Sequence, residues 1–140
     1  MRENEEGRRI VSANLDEWIE GYRVAWENRD PAAAASLFTE DATYRSNIFE
    51  DPHVGRDGVR DYWASVTSTQ SDVRVRMGGP FVDGSRVTVE FWTTMEVEDA
   101  PTTLSGCLLL EFDENRVCRR LREYWHFQPG TFEPPVGWGE

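Results

Sequence analysis

The stretch of residues 30–63 alternates between helical and extended patterns, and this order restricts what the rest of the chain can form. Pro31 stands where a helix can begin without losing a backbone hydrogen bond, and the four alanines after it favour a short helix. Residues 42–46 then alternate between two faces, as a strand does. After a glycine-containing turn at residues 55–58, the apolar side chains within residues 59–63 share one side of another helix. The pattern predicts helix, strand and helix in that order.

A longer amphipathic helix precedes this stretch. Asn14, with Glu17 three residues later, is typical of a capping box at the start of a helix. Apolar residues then recur at helical spacing and give the helix an aromatic side, made of Leu15, Trp18, Ile19, Tyr22, Ala25 and Trp26. Residues 1–11 are rich in charge, and we expect them to form a flexible tail.

Four strands are predicted later in the chain, within residues 72–82, 86–98, 101–113 and 116–127. If the turns that join the last three are tight, at Asp99-Ala100 and Glu114-Asn115, the pairing register of these strands follows. On the more apolar face, which we expect to pack against the helices, it aligns Phe91 with Leu108 and Leu121, Thr93 with Gly106 and Glu123, and Met95 with Leu104 and Trp125. The opposite face mixes charged side chains with Trp92, Leu109 and Tyr124.

Composition narrows the class of protein. The 140 residues are enough for one domain with a sizeable core, and the net charge of −11 disfavours nucleic acid or an anionic membrane as a partner. The N-terminal residues lack the apolar stretch of a signal peptide and no apolar run reaches membrane length, so we expect a cytoplasmic protein. Two cysteines do not make a disulfide framework, whereas six tryptophans offer enough aromatic surface to line a cavity as well as a core.

The order of elements, from the long helix through residues 30–63 to the strands, resembles the nuclear-transport-factor-2-like superfamily and, within it, the SnoaL-like domains. The resemblance covers residues 12–128. It implies an α+β fold in which a cone-shaped, curved mixed β-sheet wraps around three N-terminal helices (a cystatin-like or SnoaL-like α+β barrel) and encloses an apolar pocket. It also implies a homodimer formed through the outer sheet face. The Pro- and Gly-rich residues 129–140 form a C-terminal tail, which either packs across a groove or a neighbouring subunit or stays disordered.

Glu123 is the most informative charged residue for function. The predicted register places it on the inner face beside Gly106, which has no side chain and would leave space next to the carboxyl group. Desolvation raises the pKa of a carboxyl group in such a site, and a raised pKa suits a general acid or base. The alternative is that Thr93, Tyr22 or an arginine satisfies Glu123, as partners usually do for buried charged groups.

The resemblance implies roles for Tyr22 and Glu123. In the ketosteroid-isomerase relatives, a tyrosine at the helix position matched by Tyr22 donates a hydrogen bond to the substrate oxygen. The two acidic positions of those isomerases are Ser46 and Leu108 in this chain, and the charged pair of limonene-epoxide-hydrolase relatives is also missing. SnoaL-type polyketide cyclases use one inward carboxylate to move a proton, a role that Glu123 could fill.

The predicted ligand-binding residues are those expected on the pocket wall or at its mouth. They are Trp18, Trp26, Tyr44, Ser46, Phe49, Trp63, Phe91, Thr93, Met95, Gly106, Leu108 and Trp125. For the tryptophans the alternative is a place in the core, and for the hydroxyls of Tyr44 and Ser46 it is a hydrogen bond to each other.

The loop near the predicted mouth contains Glu50, Asp51 and His53, which together could bind a metal ion or act as a base. Their spacing matches no metal signature, so a solvated loop is the favoured interpretation, and no metal or cofactor is predicted.

The leading functional hypothesis is a SnoaL-like protein that binds a small, largely apolar, carbonyl-bearing molecule. If it is an enzyme, we expect cofactor-independent proton transfer of the cyclase, isomerase or dehydratase type, with Glu123 as acid or base. The alternative is a non-catalytic ligand-binding or protein-interaction module of the same fold.

Overall fold

The computed structural model describes the backbone of residues 2–140 and the side chains of residues 14–140. The elements of this part are α1 (Arg2–Glu27), α2 (Pro31–Ala35), β1 (Phe38–Arg45), β2 (His53–Val54), α3 (Gly55–Thr67), β3 (Gln70–Met77), β4 (Phe81–Asp83), β5 (Arg86–Val97), β6 (Ala100–Phe112) and β7 (Cys118–Pro129).

The first helix extends further toward the N-terminus than the sequence predicts. It begins at Arg2, so Asn14 lies inside it as an exposed residue, and the predicted capping box is wrong. The predicted tail of residues 1–11 falls where side chains are not described, and the division at residue 12 stays a prediction. The aromatic side of α1 is buried from Leu15 onward, as its spacing predicts.

The short helix α2 begins where the sequence predicts. Asp30 caps it by accepting a hydrogen bond from the Ala33 backbone N–H over 3.1 Å, and Pro31 occupies the first turn. The carbonyl oxygen of Leu37, just after the helix, accepts a hydrogen bond from Trp18 Nε1 over 2.9 Å. This bond connects α1 directly to the residue that precedes β1.

One curved, unclosed sheet contains the strands of the described part, in the order β2-β1-β7-β6-β5-β3 with β4 paired to β5. The β1–β7 pair is parallel and the other pairs are antiparallel, so the sheet is mixed. The predicted α+β fold, with helices preceding a curved mixed sheet, is confirmed. The sequence analysis missed β2, because two residues are too few to show alternation. The strand predicted within residues 72–82 is divided into β3 and β4 by residues 78–80.

The pairing register of the last three strands differs from the predicted register by two residues. Phe91 lies opposite Gly106, and Glu123 lies opposite Leu108. The β5–β6 turn is made by residues 98–99, both with left-handed φ values (49° and 66°), one position earlier than predicted. A bulge near the end of β6 shifts the pairing with β7. Because side chains alternate with a period of two, this shift changes partners but leaves each side chain on its predicted face.

Gly106 does not leave space beside Glu123, which corrects the prediction. A Cβ atom at Gly106 would overlap the carbonyl oxygen of Tyr124 and would lie 2.6 Å from the ring of Phe91. The Phe91 ring therefore occupies the room that the predicted register assigned to the carboxyl group. Glycine is required here because a ring and a backbone approach β6 closely from two sides.

The C-terminal tail packs across the outer sheet face of its own chain. Trp92 Nε1 donates a hydrogen bond to the carbonyl oxygen of Phe132 over 2.9 Å. Further along, the ring of Trp138 packs edge-on against Trp92 at 6.0 Å between centroids, and the Arg76 guanidinium lies 5.4 Å from the Trp138 ring. Of the two alternatives for the tail, the structure has the packed one, and it covers part of the predicted dimer face.

Two observations bear on the expectations drawn from composition. Cys107 and Cys118 are both free thiols. Within the described residues, no helix combines the length and the apolar character needed to cross a bilayer.

We predict that Gly106→Ala lowers the free energy of unfolding by about 1–3 kcal/mol, because the added methyl group has to displace the Phe91 ring or the β7 backbone. Urea denaturation measures this. Ser105→Ala, one position earlier on the outer face, is the control and should change stability by less than about 0.5 kcal/mol. If Gly106→Ala is as stable as the wild type, the Phe91 ring and the β7 backbone do not approach Gly106 as closely as described.

Candidate active-site cavity

An apolar cavity of about 400 Å³ lies between α1, α3 and the inner face of the sheet, a volume within the range of small-molecule sites. It is lined by Tyr22, Trp26, Tyr44, Tyr62, Trp63, Val66, Thr67, Thr69, Gln70, Met95, Val97, Thr102, Leu104, Glu123, Trp125 and Phe127. Among these residues Glu123 carries the one carboxyl group, and none is an arginine, lysine or histidine.

Half of the predicted site residues border this cavity, and they come from five different elements. They are Tyr22, Trp26, Tyr44, Trp63, Met95, Glu123 and Trp125. Trp125 stands at the mouth, where it is 46% exposed, and its Nε1 donates a hydrogen bond to the Ser46 carbonyl oxygen over 2.8 Å. The structure thus brings together both predicted catalytic residues and five of the predicted contacts.

The other predicted residues do not border the cavity, namely Trp18, Ser46, Phe49, Phe91, Thr93, Gly106 and Leu108. Trp18, Phe91, Thr93 and Leu108 are buried in the core, because the inner face of the sheet is packed solid at that end. Phe49 is 95% exposed in the loop after β1. The Ser46 hydroxyl acts on that of Tyr62, whose pKa it lowers, and Ser46 borders a second, more open cleft together with Glu123 and Trp125.

Nine lining residues were missed by the sequence analysis, and Tyr62 is the most important of them. The sequence places Tyr62 on the apolar side of the third helix, and its spacing of four residues from Val66 puts both side chains on one helix face, which indicates an inward position. The others lie in the last turn of α3, in the connection to β3 and its first residue, or in the parts of β5, β6 and β7 near residues 97–102 and 127, where no local pattern distinguishes a cavity wall from the surface.

The carboxyl group of Glu123 is buried in the cavity wall. The residue is 8% exposed, and no salt bridge to it is found within the described residues. Tyr62 Oη lies 3.5 Å from Glu123 Oε1, a long hydrogen bond. Burial raises the pKa of Glu123 to about 8, against the opposite effect of the Tyr62 and Tyr44 hydroxyls. At neutral pH the group is therefore mainly a neutral carboxylic acid.

Three tyrosine hydroxyls surround this acid and remain protonated with it. Burial and the neighbouring Glu123 raise the pKa of Tyr22 and Tyr44 well above the usual value, and the same two causes raise the pKa of Tyr62. Thr93, an alternative partner for Glu123, is not one, because its buried hydroxyl has no hydrogen-bond partner within the described part. Tyr62 and Tyr44 are thus the polar partners of Glu123, and Tyr22 is hydrogen-bonded to Tyr44 behind them.

This arrangement can hold an oxygen atom of a ligand and move a proton. A neutral carboxyl group and a neutral phenol are both hydrogen-bond donors, and together they polarise a carbonyl group. Below a pH of about 8 Glu123 is an acid, and above it a base of unusual strength for a carboxylate.

The loop between β1 and β2 contributes a ring to this neighbourhood. His53 stacks on Tyr62 with 4.4 Å between ring centroids, while Glu50 and Asp51 are exposed. Within residues 14–140 no three His, Cys, Asp or Glu side chains are grouped so that they could hold a metal ion.

We predict that Glu123 makes the protein less stable as the pH rises. The folded state holds the proton up to a pH of about 8, whereas the unfolded chain releases it near 4.5, so between these values the unfolded state binds fewer protons. The free energy of unfolding therefore falls with pH in this window, with a slope approaching about 1.4 kcal/mol per pH unit from this group, and levels off outside it.

Glu123→Gln removes this contribution, so its stability relative to wild type should increase from pH 5 to pH 8. Urea denaturation across that range measures the difference, with Glu90→Gln on the outer face as the matched control. A constant difference between Glu123→Gln and wild type would show that Glu123 keeps an ordinary pKa.

Comparison with known proteins places this cavity in a known fold. The model of the SnoaL-like domain matches residues 18–120. A solved hypothetical protein from Catenulispora acidiphila, described as having a ketosteroid isomerase-like fold and as being in complex with trimethylamine, is 22% identical, with a TM-score of 0.69 over 77% of this chain and 84% of that one.

A second structure, described as an LEH-like epoxide hydrolase of M. tuberculosis, is 16% identical, with a TM-score of 0.67 over 81% of this chain and 84% of that one. No curated protein sequence matches. These structures share the fold, and the family model covers more than half of the sequence. The chain belongs to the SnoaL-like domain family.

Proposed function

We propose that this protein binds a small, largely apolar, carbonyl-bearing molecule in the cavity and that Glu123 transfers a proton to or from it. The observation that carries the proposal is a buried carboxyl group without a basic partner in a cavity whose other walls are mainly aromatic and aliphatic. A carboxyl group in such a place costs stability, and sites of catalysis are where such costs concentrate.

The proposed roles follow from the position of each donor. Glu123 as a carboxylic acid gives its proton to the ligand oxygen, and as a carboxylate it takes a proton from a carbon next to the carbonyl group. Tyr22, together with Tyr44, polarises the carbonyl oxygen by hydrogen bonding. Reactions of this kind need no cofactor, and they include enolisation, aldol-type ring closure and loss of water.

The size and lining of the cavity limit the ligand. A volume of about 400 Å³ accommodates a molecule of one or two rings, and the excess of apolar over polar wall favours a ligand with few polar atoms. A polyketide-, steroid- or terpenoid-like fragment has this character.

The second candidate is a non-catalytic binding module with the same ligand class. It is favoured by Leu108, which is fully buried opposite Glu123 where the resembling isomerases have an acid. In this case Glu123 and the tyrosines orient the ligand and no bond changes. Native mass spectrometry of the purified protein with a panel of apolar ketones, polyketides and epoxides tests whether a molecule is retained at all.

We predict that Glu123→Gln lowers turnover of any ketone substrate identified in this way by about 100-fold or more, because the amide cannot exchange a proton. Ligand affinity should change by less than about threefold, since the amide keeps the shape and a donor. Glu90→Gln is the control for loss of a carboxylate elsewhere. Undiminished turnover by Glu123→Gln would exclude it as the acid or base, and binding without turnover in wild type would favour the second candidate.

We also propose a homodimer that uses the part of the outer sheet face left open by the tail, around Leu109 and Tyr124. Tyr124 is 43% exposed there, whereas Trp92 is occupied by the tail. A cytoplasmic location stays part of this proposal.

We predict that Tyr124→Glu shifts the protein from dimer to monomer, since a charge on each copy would have to be buried at the interface. Light scattering after size exclusion measures the mass, with Val24→Glu, on the exposed side of α1, as the control. A monomeric wild type would contradict the proposed interface.

A further inference from the structure

We infer that the same cavity binds alkylammonium ions, with the charged nitrogen between aromatic rings and Glu123 as the counter-ion. The inference rests on the proposed use of the cavity as a ligand site and adds a second class of ligand to it.

Aromatic rings dominate the cavity wall. Seven of its residues are aromatic, namely Tyr22, Trp26, Tyr44, Tyr62, Trp63, Trp125 and Phe127. The planes of Tyr22, Trp26 and Trp63 meet pairwise at 69–85°, with centroids 5.5–6.4 Å apart. These three rings thus meet at steep angles in one part of the cavity wall. The faces of aromatic rings attract cations, most strongly where water is excluded.

The cavity wall contains one acidic side chain and no basic one. Glu123 is its one carboxyl group, no basic residue lines it, and no salt bridge to Glu123 is found within residues 14–140. A bound cation would supply the partner that the chain does not. Alkylammonium ions fit best, because their alkyl groups contact the rings and they lose less hydration on burial than a metal ion or a bare ammonium group.

The groups that face Glu123 do not compete with such a ligand. Tyr22 from α1, Tyr44 from β1 and Tyr62 from α3 are neutral phenols, and behind Tyr62 lie the ring of His53 and the more distant carboxylate of Glu50. A cation therefore stabilises the ionised form of Glu123, and the proton of that carboxyl group is released to solvent on binding. Cation affinity should rise with pH while ketone affinity, which uses the protonated form, should not.

Two probes of equal shape test this. Phenyltrimethylammonium carries a fixed charge, and tert-butylbenzene has carbon in place of the nitrogen. By isothermal titration calorimetry at pH 9, we expect the cation to bind at least tenfold more tightly than the hydrocarbon. At pH 6 the cation should lose at least tenfold in affinity and the hydrocarbon should not change. At pH 7, titrations in two buffers of different ionisation enthalpy should show about one proton released per cation bound.

Variants assign the effect to the named groups. Glu123→Gln should abolish both the preference for the cation and the proton release, while Glu90→Gln should keep both. Trp125→Leu, at the exposed mouth, should weaken cation binding about three- to tenfold and tert-butylbenzene binding by less, because leucine keeps an apolar contact but has no ring face. Hydrocarbon binding equal to cation binding at pH 9, or proton release that persists in Glu123→Gln, would overturn the inference.

A third probe, 4-tert-butylcyclohexanone, separates this inference from the proposed function. If the ketone binds and the cation does not, the proposed function stands and the alkylammonium inference is wrong. If neither binds, the cavity is not a ligand site of either kind.

Discussion

The packing of the aromatic side of α1 against the sheet is the contact on which the rest of the structure depends. Near the start of that side, Trp18 packs edge-on against Phe38 and Phe112 at 6.0 and 5.3 Å, and its indole N–H is bonded to the chain after α2. This end of the cone is solid. Two turns further along, Trp26 faces a cavity instead, whose other walls come from β1, from α3 and the turn after it, and from β3, β5, β6 and β7. One helix thus closes the core at one end and forms a wall of the cavity at the other.

The same geometry explains how a carboxyl group is tolerated inside. An ionised carboxylate without a partner would cost far more than a small domain can spare. Retention of the proton up to a pH of about 8 removes most of that cost at neutral pH, and the tyrosine hydroxyls provide the remaining polar contacts. The protein therefore loses stability at high pH because of Glu123, and in return the cavity contains a group that can give or accept a proton. An apolar residue at position 123 would avoid this loss of stability.

The sequence predicted the fold, and the sheet face on which each side chain lies, better than it predicted which inward side chains meet the core and which meet the cavity. Alternation placed Phe91, Thr93 and Glu123 on the inner face, as observed, because a strand has only two faces. The register failed because the β5–β6 turn begins at Glu98, a residue that rarely adopts a left-handed φ, so no local signal marked it.

Whether an inward side chain lies in the core or at the cavity could not be predicted, for a different reason. Trp18 and Trp26 lie on one stripe of the same helix, eight residues and about 12 Å apart, and nothing in their spacing says which meets a core and which a cavity. That distinction depends on the course of the curved sheet relative to the helix, which is a property of the whole sheet. Tyr62 shows the converse, since its helical spacing marked an inward side chain before its role beside Glu123 was visible.

The tail gives the outer face an asymmetry that the alternating pattern alone would not produce. The tail carbonyl of Phe132 satisfies the Trp92 indole, and Trp138 lies between Trp92 and Arg76, so the β5 and β3 side of this face is covered by the chain itself. The Gly139 backbone approaches β3 so closely that a Cβ atom at Gly78 would lie 2.9 Å from its Cα. A partner on the covered side would have to displace contacts already made, whereas the β7 side offers exposed aromatic surface without that cost. The part of the outer face that the tail leaves open thus lies on the strand that also carries Glu123.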